Sequence, residues 1–465
     1  MCGCIRLPAA KGRRVNKTLL ACVALAAACA CSGQVTPLAP VSPAPLVPGP
    51  LGSYVKHVVV IVQENRSFEN LFAGWPGADA PMVGYERVGG RRVQIPLHAV
   101  SLTAATDICH LWGDAMTAWH GGAMDGFNLE RSSQGGGLCL SKPIGDFPYA
   151  YLDRSQIAPY RAMASQYVLA DRMFPTEFGT SFTAHQDLIA GTTRIDAQHS
   201  LVNTPDSFPW GCDASRTTPP TKTSLIDRQR KVTTDGPFPC FTQYATIADT
   251  LDERHVSWRY YAPPLGTLGG SVWTAFDAID KVRYGPDWAN VVTPETAVLK
   301  DIAAEKLAGV SWVIPDLQWA DYPAENTDYG PSWVGDIVDA IGRSAYWKNT
   351  AIVVLWDDWG GWYDDAPPPQ LDYVGLAIRV PCIIVSPYAR RGYVSHTRYE
   401  YGSILKFIEE AFGLRSLGST DRRAHSLIDA FDFTQAPRPF VDIPTKYPAS
   451  LFFELPQSRR PPDND

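Results

Sequence analysis

Short unbroken apolar runs punctuate the chain: 57-HVVVIV-62, 167-YVLA-170, 256-VSWRYYA-262, 310-VSWVI-314, 351-AIVVLW-356 and 380-VPCIIV-385. They are rich in β-branched and aromatic residues and lack the alternation of a strand with one wet face. That pattern predicts strands covered on both sides. Between the runs the period changes. In 402-GSILKFIEEAFGL-414, Ile404, Leu405, Ile408, Phe412 and Leu414 fall on or near one face, and 332-SWVGDIVDAIGRSAYW-347 repeats that style. Both predict helices. Alternating strand and helix predicts one large α/β domain with a mainly parallel central sheet flanked by helices. The domain is expected over residues 53–440, with 441–465 as a C-terminal tail. Residues 196–243 are polar and rich in Pro and Thr with few periodic signals, so they predict a loop-rich insertion or cap.

The start of the chain has a different pattern. Lys11, Arg13, Arg14 and Lys17 precede 18-TLLACVALAAACA-30, an apolar run too short to span a bilayer. This is a secretory signal layout over residues 1–31. It ends in 28-ACACSG-33, where Cys29 or Cys31 is a candidate for lipid acylation. The expectation is an exported protein, periplasmic or a cell-envelope lipoprotein, otherwise secreted. A lipid would anchor the chain to a membrane without making it span. Residues 32–52 contain a Pro-rich stretch that predicts an extended tether.

Composition narrows the function classes. Of 465 residues, 45% are apolar and 19% charged, and the net charge is −7, with no basic block to grip a phosphate backbone. Nucleic-acid binding is therefore not expected. Five cysteines lie beyond residue 50. Cys109 can pair with Cys139 and Cys212 with Cys240 in an oxidising compartment, and Cys382, inside an apolar run, reads as a buried free thiol. The 14 tryptophans are many for a soluble domain. Most are expected in the core, although aromatics can also line a pocket for a lipid headgroup.

Polar residues follow the strands, where an open parallel sheet binds its ligands. Glu64 and Asn65 leave the first strand, and Asp357 and Asp358 leave 351-AIVVLW-356. After 167-YVLA-170, a Gly-Thr-Ser turn enters a helix-like run ending near Gly191, which sets Ser181 at a helix N-terminus. Oxygen donors of this kind suit Ca²⁺, Mg²⁺ or Mn²⁺. A divalent ion would offset carboxylate repulsion and help a serine hydroxyl attack phosphorus. Each feature also has a plain structural reading, as turn former, loop start or helix cap. Their coincidence at three strand ends points to a site. A second doublet, Asp364–Asp365, follows two glycines.

These stretches, with 119-WHGGAMDGF-127, 349-NTAIVVLWDDWGGWYDDAPPP-369 and 379-RVPCIIVSPYARRGYVSHTRYEYGSILKFIEEAFGL-414, resemble the bacterial phosphoesterases that include phospholipases C and acid phosphatases. The resemblance implies an alkaline-phosphatase-like three-layer fold and hydrolysis of phosphate esters, with phospholipid among the possible substrates. It implies Glu64, Asn65, Asp357 and Asp358 as metal ligands, Asn65 also on phosphate, and Ser181 as the nucleophile that forms a phospho-enzyme. It implies catalytic roles for His110 and for His185, one helical turn beyond Ser181. His396, beside another strand exit, is a weaker candidate, structural or catalytic. Two positions depart from the pattern. Tyr322 and Asp365 stand where relatives carry histidines that contact phosphate or protonate a leaving group, so both are candidate substrate-binding residues. The departures motivate an alternative, a catalytically weakened, membrane-tethered binding protein that keeps the fold.

Overall fold

The computed structural model describes residues 50–134 and 138–459. The expected signal segment and most of the tether lie outside these residues. All six apolar runs form strands of one nine-stranded sheet. Its strands are β1 (His57–Gln63), β2 (Val168–Phe174), β3 (Trp258–Tyr261), β4 (Val291–Val292), β5 (Val310–Val313), β6 (Thr350–Trp356), β7 (Val380–Val385), β8 (Tyr393–Ser395) and β9 (Tyr399–Glu400). Their order is β4-β3-β5-β1-β6-β7-β2-β8, with β9 also pairing β2. Neighbours are parallel except around β7, which runs against both β6 and β2. The sheet is thus mainly parallel with a single reversed strand.

Burial explains the unbroken apolar runs. Val58 to Val62 and Ala351 to Trp356 are 0% exposed, so both faces of β1 and β6 are covered. The covering helices include α1 (Ala158–Gln166), α2 (Ser181–Ala190), α3 (Gly330–Gly342) and α4 (Tyr401–Phe412). Helices α1 and α3 pack together, as do α2 and α4. Eight tryptophans, at 258, 273, 312, 319, 333, 356, 359 and 362, are among the largest fully buried side chains, so most of the aromatic content is core.

Register positions the chemistry. β1 and β6 pair in register from His57–Thr350 to Gln63–Trp356. The next residues out, Glu64 and Asp357, must therefore emerge side by side. Helix α2 begins at Ser181 and ends at Gly191, whose left-handed backbone (φ 62°) caps it by donating its N–H to the Asp187 carbonyl at 2.8 Å.

Two peripheral segments are more structured than their composition suggests. Residues 196–243 contain a three-stranded antiparallel sheet from His199–Val202, Ser224–Asp227 and Val232–Thr233. From the same segment, Trp210 and Phe241 pack against Phe182 of α2, so it supports that helix directly. The segment after residue 440, expected as a tail, sends Phe452 between Trp319 and Trp333, at ring distances of 5.5 and 5.2 Å. Disulfides join Cys109 to Cys139 and Cys212 to Cys240, and Cys382 is a buried free thiol. Among the described residues no helix is long and apolar enough to cross a membrane.

Candidate active site

At the end of β1 the backbone turns sharply. Asn65 adopts φ 59°, a left-handed conformation that asparagine tolerates better than most residues. Its N–H donates to Asp357 Oδ1 at 2.9 Å, and the Asp357 N–H donates to the Gln63 carbonyl at 2.9 Å. Gly360 (φ 59°) closes the β6 exit against this turn. A Cβ there would lie 2.2 Å from the Asn65 carbonyl oxygen, so only glycine fits. The Gly360 N–H donates to Asp358 Oδ1 at 2.8 Å, fixing the second carboxylate.

Helix α2 brings the nucleophile candidate to these residues. Ser181 Oγ lies 3.3 Å from Asn65 Oδ1 and 3.4 Å from Asp358 Oδ2. One turn later His185 Nε2 lies 3.0 Å from Glu64 Oε1 and 3.9 Å from Asp357 Oδ2. His110 Nδ1 donates to the Ile108 carbonyl at 2.8 Å, which turns Nε2 towards Asp358 Oδ2 at 3.6 Å. The Cys109–Cys139 disulfide anchors the segment that carries this histidine. Five residues predicted from strand ends and a helix start, together with His110 and His185, which the resemblance implied, therefore form one buried constellation.

The electrostatics call for a cation. Burial, then Asp357 and Asp358, push the Glu64 carboxyl well above its usual range. Burial, then Asp357, push Asp358 up to about 8, against the pull of His110, the Gly360 N–H and Ser181. Burial also pushes His185 down to about 4, which leaves a neutral imidazole at neutral pH, the form that ligates metals. Glu64, His185 and Asp357 each offer one ligand atom, all within 4.8 Å of one another. No hydrogen-bond donor reaches Glu64 Oε2 or Asp357 Oδ2. A buried, under-satisfied set of two carboxylates and an imidazole fits a divalent cation. The geometry groups His185 with the cation ligands, while Asp358 faces Ser181 and His110.

The second doublet has a different partner, which the sequence reading missed. Arg379, fully buried, donates through Nε to Asp364 Oδ1 at 2.7 Å and lies 3.2 Å from Asp365 Oδ1 and 3.5 Å from Glu69 Oε1. It also donates to the carbonyls of Asp171 and Asp79 at 2.8 and 2.6 Å and covers the Phe68 ring. Burial opposes its charge, but Asp364, Glu69 and Asp365 outweigh that and hold its pKa above the usual value. The available signal was an arginine beside 380-VPCIIV-385. That strand is the reversed one, so its N-terminal end lies at the sheet edge where the other strands finish. Asp365, expected to bind substrate, is thus engaged by Arg379. Tyr322 is buried beside the Trp273 ring at 6.0 Å, and its hydroxyl has no hydrogen-bond partner. The ring of His396 pairs with Asp171 at 2.8 Å and is 57% exposed, away from the buried constellation.

With this geometry in view, the comparisons with known proteins are specific. The profile of the phosphoesterase family matches residues 55–415, which include every residue of the constellation. The chain belongs to the phosphoesterase family. Family membership places it among hydrolases that act on phosphoric ester bonds. It is 23% identical to the non-hemolytic phospholipase C of Pseudomonas aeruginosa over 447 residues, covering 84% of this chain and 59% of the relative. It is also 23% identical to phospholipase C A of Mycobacterium tuberculosis, covering 82% of this chain and 78% of that one. The chain thus spans less than two thirds of the Pseudomonas relative and more than three quarters of the mycobacterial one. A solved structure of a protein in the alkaline phosphatase superfamily from Vibrio parahaemolyticus is similar at a TM-score of 0.34 and 10% identity, covering 81% of this chain and 72% of that one.

Two outcomes follow for this phosphoesterase. Arg379→Met leaves Glu69, Asp364 and Asp365 without their cation and is expected to cost about 3–5 kcal/mol of stability. The denaturant midpoint measures it, and an unchanged midpoint would show that these carboxylates need no counter-charge. The second concerns pH. Asp358 holds its proton more tightly folded than unfolded, so its contribution to stability is full below the ordinary 3.8 and is lost as pH rises towards about 8. Glu64 acts in the same direction. In chelator, the melting temperature is therefore expected to fall across that window, and less steeply in Asp358→Asn. Added divalent cation is expected to recover more at the upper end, because ligation needs ionised carboxylates. A wild-type melting temperature that rises with pH in chelator would contradict this account.

Proposed function

We propose that this chain is an exported, metal-dependent phosphoesterase of phospholipase C or acid phosphatase type that works through a phosphoserine intermediate. One observation carries the reading: the Ser181 hydroxyl, at the start of α2, lies within reach of Asn65 and Asp358 beside the cation-compatible Glu64–His185–Asp357 set. Glu64, His185 and Asp357 would hold the cation. When bound, it would supply positive charge that offsets the carboxylates and stabilises charge developing on phosphoryl oxygens. The imidazole in the set makes Mn²⁺ the best match among the hard cations considered.

The residues divide the remaining work. Asn65 orients the Ser181 oxygen, and its amide nitrogen, buried with no partner, is free to donate to a phosphoryl oxygen. In its ionised form, which a nearby cation would favour, Asp358 lies close enough to Ser181 Oγ to accept its proton as the oxygen attacks phosphorus. The alcohol leaves, and water then attacks the phosphoserine to release phosphate or a phosphomonoester. His110, facing Asp358, steadies that carboxylate and is placed to relay its proton. The side chains of the α2 N-terminus and both strand ends are nearly all buried, so water is excluded and each interaction is strengthened.

The test is an activity screen with p-nitrophenyl phosphate, its phosphorylcholine ester and phospholipid vesicles, each with Ca²⁺, Mg²⁺ or Mn²⁺. Ser181→Ala is expected to lower turnover by about 1,000-fold or more. Activity that survives the substitution would remove the phosphoserine step. Export is supported by the two disulfides, which persist in oxidising compartments. Mass spectrometry of the mature N-terminus is expected to find the chain beginning at acylated Cys29 or Cys31. Recovery of the intact signal segment on the active protein would refute export.

A further inference from the structure

A second acidic cluster lies outside the constellation. A cavity of about 440 Å³ flanks the C-terminal half of α2, and its wall includes Glu177, Asp187, Thr193, Tyr244 and Asp372. Glu64, Asn65, Ser181, His185, Asp357 and Asp358 do not line it. Asp187 is 0% exposed, yet neither of its carboxylate oxygens has a hydrogen-bond partner. A buried carboxylate without a partner is costly. Glu177, also buried, exerts the largest charge influence on Asp187 and so deepens the deficit. Its own Oε2 accepts only the Thr193 hydroxyl, at 2.7 Å. The pair is uncompensated in a way that Asp364, served by Arg379, is not.

The surroundings select a cation. Ala190 and Gly191, at the C-terminus of α2, also line the cavity, and a helix C-terminus carries negative partial charge. Two arginines line the wall, Arg194 and Arg423, and Arg423 is already engaged by Glu400 at 2.9 Å and by Asp372. The guanidinium of Arg194 lies over the Tyr373 ring at 6.0 Å. Arg423 attracts Asp187 through space, but no side chain or backbone group donates to either Asp187 carboxylate oxygen or to Glu177 Oε1.

The size and donor set indicate which cation. Among the described residues, only Glu64, His185 and Asp357 bring three ligand atoms of His, Cys, Asp or Glu within 4.8 Å. The third carboxylate on the wall, Asp372, is paired with Arg423, so the cavity offers the two unpaired carboxylates of Glu177 and Asp187, together with hydroxyl oxygens and room for several waters. Divalent ions that keep part of their hydration shell are held in this way, by one or two carboxylates with water completing the shell.

We propose that Glu177 and Asp187 hold a hydrated divalent cation separate from the one at Glu64, His185 and Asp357. Glu177 lies four residues before Ser181, and Asp187 lies six after it, about 9 Å along the helix axis. Gly179, between Glu177 and Ser181, approaches Thr183 so closely that a Cβ would lie 1.9 Å from its hydroxyl oxygen. A cation bridging the two carboxylates ties this tight approach segment to the body of α2. It thereby holds the serine at the helix start, without touching substrate.

The test uses the full chain, stripped with chelator and titrated calorimetrically with Ca²⁺ alone and, in parallel, Mg²⁺ alone. Asp357→Asn, which disables the constellation's own cation set, is expected to retain one binding equivalent. Asp187→Asn or Glu177→Gln, added to that background, is expected to lose it. The melting temperature of Asp357→Asn is expected to rise on adding the ion, and that of either double variant to stay put. Near-UV circular dichroism confirms folding, and two independent isosteric changes guard against a misfolded variant. The proposal is overturned if Asp357→Asn binds neither ion, or if both double variants bind as Asp357→Asn does. A wild type that binds one equivalent, kept in Asp357→Asn and lost in Asp187→Asn, would support this second site while counting against a cation at the first.

Discussion

Buried negative charge at the carboxyl edge of the sheet is the constraint on which the rest depends. Parallel, in-register pairing of β1 and β6 delivers Glu64 and Asp357 to adjacent positions with both sheet faces sealed. Charges so placed repel and are poorly solvated, so each needs a counter-charge or a proton. The same register that makes the core possible thus makes the edge electrostatically unsatisfied. Strand ends of this kind are where chemistry can be driven, because any cation captured there acts in a dry, rigid frame.

The protein meets this constraint in different ways at neighbouring places. Asp364, Asp365 and Glu69 receive a permanent cation, Arg379, with hydrogen bonds to two backbone carbonyls that leave it no freedom. That solution is structural, since a guanidinium cannot be released. Glu64 and Asp357 receive no such side chain, only a neutral imidazole. Their deficit is open, and an exchangeable divalent ion would close it. The contrast gives the two aspartate doublets separate meanings, although they lie seven residues apart in one loop.

Supports for α2, which carries Ser181 and His185, extend beyond the candidate site. Phe182 is held by Trp210 and Phe241 from the disulfide-linked insertion, while α4 packs along the same helix. The Tyr401 hydroxyl of α4 donates to the carbonyls of Trp356 and Asp357, so α4 braces the exit of β6 as well. Ser181 and the Glu64–His185–Asp357 set are thus referred to a common frame. Such coupling matters because the reacting geometry tolerates little displacement.

Much of this was legible in the chain by itself. A strand buried on both faces must be apolar throughout, so the six runs marked the sheet. A polar residue directly after such a run can only emerge at its end, so Glu64, Asn65, Asp357 and Asp358 were identifiable without coordinates. The spacing of Ser181 and His185 likewise fixed their shared helix face. What the chain could not disclose depended on strand direction and long-range contact. The reversal of β7 carries Arg379 to the ligand edge, and nothing local to 380-VPCIIV-385 encodes its direction. Asp365 read as a substrate contact because it stands where the resembled family carries a histidine, whereas its partner lies 14 positions on. The grouping of His185 with Glu64 rather than with a leaving group also needed three dimensions. Periodicity records which residues face the core. Only folding decides which buried charges meet, because that depends on the relative placement of elements far apart in the chain.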